Sequence, residues 1–495
     1  MNEYEAVKDF SQFLFTIDNP VKEPLDILQE EPSSGEENNY LFPAPLDLGE
    51  GQEMQRVSLI DISATEDSIT ELSRAESRLT DERELIREFN QFSFTTPIPL
   101  YVPLNIVQEE PGPNLGAATV TEDSLSFAPL APSNFQNLTA DIGRGFGDPD
   151  NRYAWSVIEE DGFLFVGTLN VENGGEIWRT SLDETNWTKV FDFGTEVQGI
   201  RELVVYQDQL YAFTTGDIET EPSGFVSSDN GETWTEITGG PLDSPVNESI
   251  RTSIVHDGLL YVGTIDSSGA EIWTYDGANW TLEKKFSEDI ETISEFIEFE
   301  DELYVGAWNN FGSYFFTGEN FDVDVTPSFR RFFDVNNGGV LDTVEFQDQL
   351  YLSTWNFISG FSIFRTDDPL TGEWEIVTRN GFGDRDNAYG WNMAVYDDPL
   401  TPEEGDELYL GTFNSGFYDG NGVPFDGPGQ LYSTPDGDTW ELVDIPDLGQ
   451  FTWGIRNVLV TSTNQLVLGT ATNNILSQDD VPSGELGTQI WIADL

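Results

Sequence analysis

The stretch VHDGLLYVGT (255–264) sets the frame for the rest of the chain. An acidic two-residue turn is followed by Leu-Tyr-Val-Gly-Thr. The pattern recurs as DGFLFVGT (161–168), QDQLYAFT (207–214), DELYVGA (301–307), QDQLYLST (347–354), DELYLGT (406–412) and NQLVLGT (464–470). The leading leucines are Leu164, Leu210, Leu260, Leu303, Leu350, Leu408 and Leu466, spaced 43 to 58 residues apart. Turn residues ahead of a short apolar strand, repeated at that period, mark a chain of small antiparallel sheets. A β-propeller is the architecture this period specifies.

Each repeat parses into four strands. The first is β-branched and apolar, as in ELVVY (202–206) and TSIVH (252–256). The second is the Leu-Tyr-Val-Gly-Thr strand. The third carries Ile177–Trp178, Ile272–Trp273 or Ile490–Trp491, and the fourth opens at Trp187, Trp234, Trp280, Trp374 or Trp440. In the fourth repeat, Phe332–Phe333 stands where that Trp is expected. The last repeat stops at its third strand. NLTADIGRGFGDPDNRYAW (137–155) matches WEIVTRNGFGDRDNAYGW (374–391), a fourth strand running into the next first strand. Residues 134–142 are therefore expected to supply the missing strand. The expected fold is all-β: a seven-bladed propeller over 134–495 whose N-terminal strand closes the last blade and removes two sheet edges.

Residues 1–133 form a separate arm region with its own duplication. FSQFLFTIDNPVKEPLDILQEEP (10–32) aligns without gaps to FNQFSFTTPIPLYVPLNIVQEEP (89–111), with 13 identities in 23 positions. Residues 66–90 between the copies read as one helix with Leu72, Leu79, Ile86 and Phe89 on a partial stripe. These motifs hold too little apolar surface for a conventional core. They read either as a leader or as paired docking arms that lay Phe13 and Phe15, and Phe92 and Phe94, into grooves on a partner or a second copy.

The chain has 91 acidic residues against 21 Lys and Arg, a formal charge of −70. The excess is spread evenly along the sequence, as adaptation of a whole surface to salt or divalent cations would spread it. Nucleic acid and anionic membranes would be repelled. The absence of cysteine excludes disulfides and thiol chemistry, and the single histidine, His256, argues against a histidine metal site. No apolar stretch is long enough to span a membrane, and the N-terminus lacks the pattern of a secretory signal.

SSDNGETW (227–234) and the degenerate STPDGDTW (433–440) fit the Asp-box, Ser-x-Asp-x-Gly-x-Thr-Trp. Here the sequence resembles, at fold level, the Asp-box (BNR-like) propellers, which include sialidases, other glycosidases and many non-catalytic proteins. The resemblance implies a structural turn between third and fourth strands, with Asp229, Gly231 and Trp234 serving the fold.

Counting nine residues back from the repeat leucines reaches Trp155, Arg201, Arg251, Ser294 and Leu341. The longer turn of repeat six and the extra residue of repeat seven place Trp391 and Arg456 equivalently. First strands line a propeller's channel, so three arginines and two tryptophans should meet at one mouth, either filling the channel and pairing with nearby acids such as Glu202 or forming a ligand-binding face. Arg suits bidentate capture of a carboxylate or sulfate, and Trp stacks on sugar rings. The twin GFGD(P/R)DN loops offer Asp148, Asp150 and Asn151, and Asp384, Asp386 and Asn387, as oxygen donors for Ca²⁺ or as Asx-turns that hold the loops. The expectation is a non-catalytic extracellular or cell-surface scaffold that assembles through its arms and presents a binding face. The alternatives are a glycan-active enzyme and a cytoplasmic platform in a halophile.

Overall fold

The computed structural model describes residues 132–495 apart from 183, 196, 217–220, 245, 310–311, 328–336, 358, 399–404, 415–427, 475, 477 and 479–480. The duplicated motifs, the helix expected over 66–90, and Phe13, Phe15, Phe92 and Phe94 lie outside the described residues. So does Phe332–Phe333. The outer strand of the fourth repeat is Val323–Asp324, upstream of that pair, which corrects its expected position.

Among the described residues the fold is all-β and antiparallel, with only short 3-10 turns besides strands. The strands pair in seven four-stranded meanders. Their inner strands are Tyr153–Glu160, Val197–Tyr206, Ser249–His256, Thr292–Phe299, Val340–Phe346, Asn387–Tyr396 and Thr452–Val460. Each inner strand packs against the next, and the last returns to the first, so the set forms a ring. Ser133–Asn137 pairs antiparallel with Ile490–Asp494 and supplies the outer strand of the seventh meander.

The repeated motif follows from three local requirements. In five of the hairpins both turn residues have positive φ, at Asp161–Gly162, Gln207–Asp208, Asp257–Gly258, Glu300–Asp301 and Gln347–Asp348. Two-residue hairpins of this hand match the strand twist, and Asp and Gly tolerate the left-handed conformation best. The motif glycine sits where the next inner strand comes closest: a Cβ on Gly167 would lie 2.7 Å from Ile200, and one on Gly263 2.4 Å from Ile293. The motif threonine is buried and accepts from the first N–H of the third strand, as in Glu176 N to Thr168 Oγ1 (3.0 Å) and Glu271 N to Thr264 Oγ1 (2.9 Å).

The core is correspondingly divided. Each seam between successive meanders holds its own apolar cluster, such as Phe165, Ile177, Ile200 and Leu210 between the first two. The closing seam buries Leu138 with Val467, Ile490, Trp178 and Trp187. Trp187 Nε1 also donates to the Leu138 carbonyl (2.9 Å), tying the closing strand to the first meander. Truncation before residue 132 should leave thermal stability of the ring unchanged. Truncation through Leu138 should cost at least about 2–5 kcal/mol, the loss expected for a buried leucine alone, seen as a lower urea midpoint.

Candidate functional site

Every inner strand carries a β-bulge at the equivalent place, skipping Trp155, Arg201, Arg251, Ser294, Leu341, Trp391 or Arg456, and the second, sixth and seventh inner strands carry a further one upstream. The seven named residues are the positions reached by counting back from the repeat leucines. A bulge sets two residues against one on the partner strand and re-aims a side chain. Here it turns one side chain per meander toward the middle of the ring.

The arginines lie on indole rings. The Arg201 guanidinium is 4.6 Å from the Trp155 ring centre, Arg251 4.2 Å from Trp308, and Arg456 5.2 Å from Trp391. Glycines seat these tryptophans: a Cβ on Gly199 would be 2.3 Å from Trp155, one on Gly339 2.1 Å from Trp308, and one on Gly454 2.2 Å from Trp391. Around them runs an aromatic wall. Tyr153 meets Trp391 edge-on at 5.9 Å and Trp453 at 6.4 Å, and Phe413 packs on Tyr389 at 4.7 Å.

In five of the seven inner strands the residue after this bulge hydrogen-bonds to a neighbouring inner strand. Ser156 Oγ accepts from Leu203 N (3.1 Å), Glu202 Oε1 from Ser253 Oγ (2.7 Å), and Asn392 Oδ1 from Val458 N (2.7 Å). Asp342 Oδ2 accepts from the Met393 N–H and from Asn392 Nδ2, and Asn457 Nδ2 donates to the Ala154 carbonyl. The sequence reading named Glu202 as a neighbour of the channel arginines but missed Glu295 and Asp342. Their signal was available: each is a carboxyl directly following a bulge position in an otherwise apolar strand.

Burial raises these carboxyls. Glu202 is pushed up to about 7, against the pull of its Ser253 hydrogen bond and of Arg456 and Arg201. Asp342 is pushed up to about 7, against Met393 N–H and Arg456. Glu295 rises well above the usual carboxylate range through burial and then through Asp342 and Glu202. The arginines move the other way: burial and then mutual repulsion with Arg456 bring Arg251 down to about 9, and burial with Arg251 and Arg456 lowers Arg201. Glu202 and Glu295 are only half-buried by surface area, so they face an open lumen enclosed by protein.

Arg201 is 3% exposed, and its Nε has no hydrogen-bond partner. Among the described residues neither Arg201 nor Arg456 makes a hydrogen bond or ion pair; their contacts are indole faces and charges farther off. A buried guanidinium without acceptors is costly and marks a place where an acceptor would be bound strongly.

The GFGD(P/R)DN loops are occupied by their own hydrogen bonds. Asp148 accepts from Asp150 N (3.0 Å) and Asn170 Nδ2 (3.1 Å), and Asp150 pairs with Arg152 (2.7 Å). Buried Asn151 donates to the Gly145 carbonyl (2.9 Å) and to Glu176 (2.8 Å), bolting the loop to the third strand. Asn387 does the same toward Gly381 (3.1 Å) and Gln430 (2.7 Å). Asp384 accepts from Asp386 N (3.0 Å), and Asp386 faces Arg385 at 3.6 Å. Among the described residues no three acidic or histidine side chains are grouped around a common ion position.

Both Asp-box segments fold as hydrogen-bonded turns between third and fourth strands. Asp229 Oδ1 accepts from Thr233 N (2.8 Å) and Gly231 N donates to Ser227 Oγ (2.8 Å); Asp436 and Thr434 repeat the pattern with Thr439 N and Gly437 N. Third-strand arginines of the preceding meanders clamp them, Arg179 on Glu232 (2.6 Å) and Arg365 on Asp438 (2.5 Å). These turns lie away from the bulged residues.

No protein-family model matches the chain, and no curated protein matches it by sequence. Solved structures do. A GH74 xyloglucanase from Xanthomonas campestris aligns at TM-score 0.43 and 15% identity, over 73% of this chain and 55% of that one. The extracellular domain of a putative hybrid two-component system from B. thetaiotaomicron aligns at 0.46 and 15%, over 73% and 39%. YCF48 bound to a D1 peptide aligns at 0.44 and 13%, over 75% and 97%. The chain thus spans about half, or less, of the first two. These neighbours are propeller-type folds.

A carboxyl whose folded pKa is raised stabilises the fold below its unfolded value, near 4.5, and loses that contribution as pH rises through the folded value. Glu202 and Asp342 therefore make the ring less stable as pH climbs from about 4.5 through 7. In urea titrations at stepped pH, Glu202→Gln should flatten this decline, while retaining an oxygen for Ser253. Gly199→Ala should displace the Trp155 ring and destabilise the fold by about 1–3 kcal/mol.

Proposed function

We propose that residues 132–495 form a seven-bladed propeller, closed by Ser133–Asn137, that serves as a non-catalytic binding module and takes an anionic ligand, such as an acidic glycan, at its channel. The observation that carries this reading is the buried Arg201 guanidinium, which lies on Trp155 with no acceptor of its own. Arg251 and Arg456 bring two more cations to the same lumen. The aromatic wall of Tyr153, Trp391 and Trp453 gives the apolar face on which a sugar ring stacks. The same proposal places the protein outside the cell or on its surface, where a uniformly acidic chain is screened by salt, and gives the arms with Phe13, Phe15, Phe92 and Phe94 the role of docking on a partner or a second copy. A second reading, a glycan-active enzyme, is favoured by two channel carboxyls near 7, the range a general acid needs.

Oligogalacturonate and a neutral oligosaccharide of equal length separate these readings by calorimetry on the full chain. The acidic ligand should bind, the neutral one at least tenfold more weakly, and Arg201→Gln should lose about tenfold or more for the acidic one, as expected when a charged hydrogen bond is removed. Equal affinity for both ligands would sink the anion reading, and new reducing ends would favour the enzyme. Light scattering on the full chain and on residues 116–495, with Ca²⁺ and with chelator, tests the arms and whether the GFGD(P/R)DN loops take an ion. Assembly only by the full chain supports docking.

A further inference from the structure

We propose that anion binding in the channel is coupled to proton uptake by the channel's own carboxyls, so that Glu202, Glu295 and Asp342 set when the arginines are available to a ligand. The inference rests on the anion-binding reading above. Every inner strand contributes a charged or titratable group: Tyr153, then Arg201 with Glu202, Arg251, Glu295, Asp342, Tyr389 and Arg456. Three guanidinium groups thus share one lumen with three carboxyls. With all six ionised the site is neutral. With the carboxyls protonated it holds three positive charges.

The carboxyls balance these charges without occupying the forks of Arg201 or Arg456. Glu202 is held by Ser253 on the neighbouring strand, and Asp342 by the Met393 N–H and Asn392. No carboxyl reaches Arg201 or Arg456 within ion-pair distance among the described residues. An anion that does reach the forks brings its own charge beside three carboxyls of the same sign. Like charges in one enclosed site favour the protonated carboxyl. The balanced step is therefore anion plus ionised carboxyl plus solvent proton, giving bound anion and neutral carboxyl, with no bond broken elsewhere. Burial already brings Glu202 and Asp342 to about 7, so the proton is available near neutrality. Above that range the carboxyls stay ionised and compete with the ligand for the arginines. Affinity falls as pH rises.

Sulfate is the probe, because it stays a dianion over pH 5–8 and its own charge does not titrate. Calorimetry on the full chain at pH 7.5, in buffers of different ionisation enthalpy, counts the protons taken up per sulfate. At least about half a proton is expected, with affinity falling up to roughly tenfold per pH unit above 7 for each proton coupled. Glu202→Gln should take up fewer protons and bind sulfate more tightly than the parent at pH 8. Glu407 is the control: it is also pushed up to about 7 but is held by Ser433 among Glu441 and Asp436, so Glu407→Gln should leave uptake unchanged. Sulfate binding without proton uptake would overturn the coupling and leave the anion reading standing. Failure of both sulfate and oligogalacturonate to bind at any pH from 5 to 8 would overturn the anion reading itself.

Discussion

The bulge repeated in each inner strand is the constraint on which the rest depends. Seven strands that converge on one axis leave little room for side chains in a regular pleat. The bulge resolves this by sending one residue per strand into the lumen and giving the following residue to the neighbouring strand. The first set, with Arg201, Arg251 and Arg456, makes the chemistry of the channel. The second set, with Ser156, Asp342, Asn392 and Asn457, makes a belt of hydrogen bonds from meander to meander. One irregularity thus serves both cohesion and function, and a change at either position is felt by the other.

The seams outside the lumen obey a simpler rule. Gly167 and Gly263 admit Ile200 and Ile293 so closely that no Cβ would fit, and in the channel Gly199, Gly339 and Gly454 admit indole rings on the same terms. Close approach of this kind encloses the channel residues in protein. Burial raises Glu202 and Asp342 and lowers Arg201, since a charge that loses hydration favours its neutral form. The electrostatics of the channel is therefore a consequence of packing.

The strand pattern and the channel positions were legible because both rest on local chemistry at fixed offsets. A two-residue turn of positive φ fixes the register between first and second strands, so nine residues back from the motif leucine must reach the bulge in the first five repeats. The offset lengthens where the turn does, in repeats six and seven. Composition did not single out the carboxyls, because the chain is acidic throughout; only their place directly after the bulge position separates Glu202, Glu295 and Asp342 from the other 88 acids. Trp308 was missed because it lies at the end of its second strand, where the motif varies. The GFGD(P/R)DN loops read equally as ion sites or as turns, since the partners that occupy them, Glu176 and Gln430, lie 25 and 43 residues from Asn151 and Asn387.

A chain carrying −70 poses a problem for any anionic ligand, and the geometry answers it in part. Exposed charges more than about 10 Å away are screened at 0.1 M salt, so the surface acids act mainly on approach and weakly on the bound state. In the channel the three guanidinium groups act on one another and are enclosed by protein, so an anion in contact with them would feel their charge first. On the anion-binding proposal, the wide acidity would work as a filter on ionic strength: at low salt the anion would be held off, and at moderate salt it would reach a site whose own charges are enclosed by protein. That proposal therefore predicts sulfate binding that strengthens with moderate salt, the opposite of the usual behaviour of an arginine site.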